Sequence, residues 1–188
     1  MTSTAATTAT TATTATVEFS SLLLSALSTG VLFGTRVSLG PSTSHFSPTT
    51  YVEVQQATVR NLRPVMGVLL PAAVATNALV LALTRTDRRP SAFALRAAGL
   101  TGQLVALALT AGVELPINAR VLAWAPAAPP EGWQRVRDRW AAVHTARTLS
   151  SVAGLACLVA AATRGGPLRP LVGGAQRTDH ASQEVERG

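Results

Sequence analysis

Four stretches of this chain contain no charged residue at all: 19–35, 64–84, 97–113 and 148–163. A helix in a water-soluble bundle needs a polar face, and none of these runs offers one. A membrane-spanning helix rises 1.5 Å per residue through a hydrocarbon core about 30 Å thick, so it needs roughly 20 residues. Only 64–84 reaches that length unaided. The other three must draw in polar flanks, which puts the spans at about 17–39, 63–84, 93–117 and 138–163. The pattern predicts an all-α fold: an antiparallel bundle of four transmembrane helices, a multi-pass protein of the cell membrane with the lipid bilayer as its solvent. A soluble four-helix bundle is the lesser alternative.

Charge agrees with this once its distribution is considered. All 16 basic residues are arginine, and with nine acids they give a net charge of +7. Nucleic-acid binding rewards clustered cations, but here the arginines are scattered between uncharged runs, so we expect no nucleic-acid partner. The one cysteine, Cys157, excludes an intrachain disulfide and any cysteine-based zinc site. There is no glycine-rich phosphate loop and no dinucleotide fingerprint.

The two ends read as disordered tails flanking a membrane domain at 17–164. Residues 1–16 hold nine Thr and five Ala with nothing to bury, and residues 165–188 are polar and broken by Gly and Pro. No cationic segment precedes the first apolar run, which argues against a cleaved signal peptide. Residues 85–90 form a tight turn, and 51–62 form an interfacial helix leading into the second span. Arginines divide evenly between the two sides, so the positive-inside rule does not set the orientation. Cytoplasmic tails are favoured because several arginines of the other set lie within the bundle. Oligomeric state is not legible.

The short fourth span is informative. Extended back to Trp140, it places Trp140, His144, Arg147 and Ser151 at i, i+4, i+7 and i+11, on one helix face. A charge facing lipid costs roughly 2.5–3.5 kcal/mol near the helix centre, so this face should point inward. Antiparallel packing sets the end of span three beside it, bringing in Glu114, Asn118 and Arg120, while Arg36 ends span one on the same side. The opposite end of the bundle is expected to hold nothing comparable. In the structural reading, Glu114 pairs with Arg147 and Asn118 caps carbonyls freed by Pro116. In the functional reading, His144 moves a proton. His144, Glu114 and Asn118 make a thin ligand set, so no metal is expected. Ala26, Gly30 and Gly34, and likewise Ala146, Ser150 and Gly154, allow close helix approach. Asn77 and Gln103 bond across helices, and Tyr51 and Gln55 cover the polar end.

Two blocks are more specific together than apart. One is Pro116-Ile117-Asn118-x-Arg120-x-x-x-Trp124. The other is Trp133 followed by Arg139-Trp140-x-x-x-His144-x-x-Arg147-Thr148. They resemble the anthrone oxygenase family over roughly residues 20–163, most strongly over 114–155. The resemblance implies four membrane helices and, as in characterised members, cofactor-independent oxidation of an anthrone or related phenol to a quinone by dioxygen. Such monooxygenase activity belongs to aromatic polyketide biosynthesis. It further implies His144, Arg147 and Asn118 as catalytic groups, with His144 as base and the other two at the oxyanion. Trp140, Trp124, Arg120 and Glu114 would contact a small hydrophobic aromatic substrate. The competing reading is a non-catalytic membrane protein whose polar cluster is a clamp or partner surface.

Overall fold

The computed structural model describes residues 2–85 and 90–165. The expected turn residues 86–89 and the tail from 166 onward lie outside the described residues. Five helices follow in order: α1 Thr2–Leu39, α2 Pro48–Leu83, α3 Pro90–Leu109, α4 Leu115–Leu122 and α5 Trp133–Gly165. A short 3-10 turn, Thr43–His45, lies between α1 and α2, and a π turn, Thr110–Glu114, joins α3 to α4. No strand occurs among the described residues. Among the described residues, four helical segments are long and apolar enough to cross a membrane, with α3, the π turn and α4 counting as one.

The helices close into a ring in which α1 packs on α2, α2 on α3, α3 on α5 and α5 back on α1. Two boundaries differ from expectation. Helix α1 extends back to Thr2 through the Thr/Ala run. Alanine is the best helix former, and lengthening an existing helix avoids the cost of nucleation. The interfacial helix expected at 51–62 is not separate, since α2 is continuous through Pro64 and Pro71. Its N-terminus is set by Ser47, whose side chain accepts a hydrogen bond from the Thr50 amide, with Pro48 in the first turn.

Polarity is distributed as lipid solvation requires. Phe19, Leu23, Leu27 and Phe33 of α1, Val65 and Val68 of α2, and Leu149 and Val152 of α5 are all exposed. Ser21, Ser25, Ser28, Thr29, Asn77, Gln103 and Ser151 are buried. In water this would be inside out. In a bilayer the hydroxyls and amides find partners only within the bundle. Asn77 Nδ2 donates to Ser25 Oγ at 2.8 Å. Ser151 Oγ donates to Gln103 Oε1 at 3.3 Å and accepts from Thr29 Oγ1 at 2.7 Å, tying α1, α3 and α5 together at mid-depth.

The closest crossing lies between α3 and α5. A Cβ placed on Gly102 would sit 2.6 Å from the Ser150 carbonyl oxygen, and one on Gly154 would sit 2.9 Å from that of Gly99. Ser150 and Gly154 of the Ala146–Ser150–Gly154 stripe therefore serve helix approach as expected, while Ala146 is exposed. The Ala26–Gly30–Gly34 stripe does not: a Cβ on Gly30 or Gly34 would meet nothing within 4 Å, and both face outward. Serines, rather than glycines, form the inward face of α1.

One expectation fails at the far end of the bundle. Arg96 Nη2 bonds Glu18 Oε1 at 3.0 Å, with both side chains buried. Glu18 falls inside the expected first span, just ahead of its uncharged run, where spacing along the chain offers it no partner. Its partner lies 78 residues away, and such a pairing cannot be read from local spacing.

Candidate functional site

Local backbone chemistry shapes the polar end before any side chain is considered. Pro116 has no N–H and its ring crowds the carbonyl four residues back, so an unbroken α-helix is disfavoured through 112–116. The chain widens by one residue instead, and the Leu115 amide bonds the Thr110 carbonyl, an i to i−5 bond. This π turn brings both Thr110 and Glu114 to face α5. Across from them, α5 presents Trp140, His144 and Arg147 on one face, as their spacing predicted.

The groups meet closely. Arg147 Nη1 pairs with Glu114 Oε2 and donates to Thr110 Oγ1 at 3.0 Å. His144 Nδ1 lies 3.2 Å from Glu114 Oε1 and 2.9 Å from Arg147 Nη2. His144 Nε2 lies 3.1 Å from the Leu32 carbonyl of α1. A carbonyl only accepts, so Nε2 carries the hydrogen and the neutral ring exposes a lone pair at Nδ1. Nδ1 then accepts from Arg147 while facing a carboxylate oxygen that also only accepts. The Nδ1–Oε1 contact becomes a hydrogen bond when a proton enters between them. The Trp140 indole stacks on His144 at 4.7 Å between ring centres, 10° from parallel. Its Nε1 donates to Asn118 Oδ1 at 3.1 Å, so Asn118 holds the indole rather than capping helix carbonyls, and its Nδ2 has no partner among the described residues. Arg36 of α1 closes the end by donating to Thr145 at 2.9 Å.

Beside this cluster is a cavity of about 640 Å³ between α2 and the α3–α4 segment, with α1 and α5 behind. Gln55, Thr58, Glu114, Asn118, Trp140 and Arg147 line its polar part, and Met66, Leu70, Pro71 and Leu107 line its apolar end. Gly67 and Arg63 on α2, and Ala111, Leu115 and Ala119 opposite, line it and are also exposed. The gap between those helices is therefore its opening, on a side that faces lipid in a bilayer.

Four of the seven candidate residues thus border one space: Glu114, Asn118, Trp140 and Arg147. His144 belongs to the cluster but not to the cavity lining. At 1% exposure it sits behind Glu114 and Arg147 with both ring nitrogens engaged. Trp124 lies elsewhere, packed with Ile117, Val121 and Trp140 on one side and with Tyr51 and Trp133 on the other. Its carbonyl and that of Val121 accept from Gln56 Nε2 at 2.9 and 3.0 Å, fixing α2 to the end of α4. Arg120 borders a second, shallower cavity of about 350 Å³ with Arg135 and Arg139. There the three guanidinium groups stand at the helix ends, where headgroup phosphates lie. Sequence reasoning missed Thr110 and the Leu32 carbonyl. The pair Gly112 and Pro116 hinted at the irregular turn, but a backbone acceptor from another helix leaves no mark in sequence. No group of three or more His, Cys, Asp or Glu side chains suited to a metal occurs among the described residues.

The family model described as anthrone oxygenase matches residues 60–157, from α2 through α5, and includes both motif blocks. No curated protein and no solved structure matches the chain.

Proposed function

Because the chain belongs to the anthrone oxygenase family, we propose that its cavity binds an anthrone or related polycyclic phenol and that dioxygen oxidises it there to a quinone. The observation that carries this is the cavity itself. Its volume of about 640 Å³ falls within the range of small-molecule sites, and its ionised groups Glu114 and Arg147 stand together between a polar part and an apolar end. An anthrone is nearly insoluble in water, and the opening between α2 and α3–α4 admits it from the bilayer.

The chemistry follows from the contacts. The methylene across the central ring from the anthrone carbonyl is acidic because its anion is an aromatic phenolate. Glu114, bordering the cavity, takes that proton, and the Nδ1–Oε1 contact with His144 gives the proton a second acceptor. On this reading Glu114 is the base in place of His144, which stands behind it as a second proton acceptor and does not touch the substrate. The guanidinium of Arg147 and the Nδ2 of Asn118 stabilise the oxyanion. The carbanion form combines with dioxygen to give a hydroperoxide, which loses water to leave the second carbonyl. Overall, the methylene and one dioxygen give one ketone and one water. Trp140 supplies a flat wall for the ring.

Dioxygen uptake and quinone absorbance, measured on the purified full chain with a panel of anthrones, test the reading against protein-free controls, since anthrones oxidise slowly unaided. We expect uptake well above control, lost in Glu114→Gln and Arg147→Leu. Uptake that stays at the control rate for every anthrone overturns it. The mutual bonding of Glu114, Arg147 and His144 favours a second reading, a clamp holding α1, α3 and α5 in register. On that reading the same variants lose stability and there is no turnover to lose.

A further inference from the structure

Gln55 is 2% exposed and borders the cavity, and neither atom of its amide has a hydrogen-bond partner among the described residues; Nε2 is closed off from open space as the side chain stands, and the unbonded amide presents it to the cavity by turning about its last bond. A buried amide donor left unpaired is costly, and native folds rarely tolerate one. Tyr51 Oη, Asn77 Oδ1 and Gln103 Nε2 are also unpartnered among the described residues, but none of those side chains borders the cavity. Gln55 is the case in which the missing partner can come from a ligand.

Its height in the bundle is fixed by its neighbour. Gln56 bonds the carbonyls of Val121 and Trp124, so this turn of α2 lies level with the end of α4. Glu114 is seven residues below Val121, about 10 Å along the axis at 1.5 Å per residue. Beyond Glu114 the cavity continues in the opposite direction to Leu70, Pro71 and Leu107, where no charged group lines it. The space is therefore asymmetric about its ionised centre, with an amide donor at one end and hydrocarbon at the other.

We propose that Gln55 is a specificity-determining residue. It donates from Nε2 to an oxygen on an end ring of the substrate, while the middle ring sits at Glu114 and Arg147 and the other end ring, bare or alkylated, lies against Met66, Leu70 and Leu107. The preferred ligand is a polycyclic ketone or phenol oxygenated at one end as well as at the centre. This rests on the reading of the cavity as an aromatic-binding site, but it does not require turnover.

The test uses compounds that cannot react. Anthraquinone, and the same quinone carrying one hydroxyl on an end ring, are titrated into the full chain in lipid nanodiscs, with tryptophan fluorescence quenching as readout. In the wild type the hydroxylated quinone should bind about tenfold more tightly, as expected when a ligand partners a buried orphan group. In Gln55→Leu the two should bind within about twofold, with the bare quinone held at least as tightly as by wild type. Gln55→Met, closer in shape, decides the matter if the leucine variant fails to fold. A preference that persists in the folded variant, or is absent from wild type, overturns the proposal. Anthrone turnover with no such preference refutes Gln55 alone. A Gln55-dependent preference without turnover refutes the oxidation and leaves this assignment standing.

Discussion

Neutralising Glu114 while keeping its shape tests whether the buried cluster behaves as a charge pair. Glu114 is 1% exposed and Arg147 8% exposed, so water screens neither. In Glu114→Gln the guanidinium keeps Thr110 and His144 but loses its counter-charge. Removing one member of a buried pair costs about 3–5 kcal/mol, because the remaining charge stays desolvated. For a chain of this length each kcal/mol lowers the midpoint by about 2–4 °C, so a fall of roughly 6–20 °C is expected. Removing both charges should cost less. In Glu114→Leu/Arg147→Met, apolar side chains replace the pair, and such replacements are often near neutral. The double variant should therefore unfold at a higher temperature than Glu114→Gln, although on the proposed function it has lost turnover. Thermal unfolding in detergent micelles, followed by tryptophan fluorescence, provides the comparison. The reasoning is refuted if Glu114→Gln lies within about 1 kcal/mol of wild type, or if the double variant is no more stable than the single one.

Three further outcomes are expected. Gly102→Ala should destabilise by about 1–3 kcal/mol, because its methyl would press on the Ser150 carbonyl; Gly30→Ala, on the open face of α1, should be neutral or slightly stabilising by the same unfolding assay. Glu18→Gln should lower stability by weakening the buried contact with Arg96 yet, on the proposed function, leave the KM for anthrone unchanged, since the residue lies at the opposite end of the bundle. Trp140→Phe keeps an aromatic wall but removes the donor to Asn118, and should raise the Kd for anthraquinone several-fold with little change in midpoint temperature.

The features read correctly from sequence share a physical basis: each depends on neighbours along one helix. The uncharged runs marked the spans, because a lipid-facing helix surface cannot carry charge. The i, i+4, i+7 spacing of Trp140, His144 and Arg147 marked an inward face, because helical geometry places those side chains together whatever lies opposite. The antiparallel order then brought Glu114 and Asn118 to the same depth. The misreadings depend on what lies opposite. Gly30 and Gly34 have the spacing of a packing stripe, but the serine face of α1 won the inward position because hydroxyls have no partners in lipid. Glu18 sits just ahead of the first uncharged run, and its role depended on Arg96 from another helix.

The chain by itself therefore determined a four-helix membrane bundle with one cluster of ionisable groups turned inward, since both follow from the cost of exposing charge and backbone to hydrocarbon; the second buried pair, Glu18 with Arg96 at the far end, came only from the tertiary structure. Tertiary structure alone decided which of those groups border open space. The π turn before Pro116 brings Glu114 to the cavity, the Leu32 carbonyl draws His144 away from it, and the Gln56 contact with α4 sets Gln55 at its rim. Each of these depends on a backbone atom of another segment or on a local change in helix pitch, and side-chain spacing encodes neither.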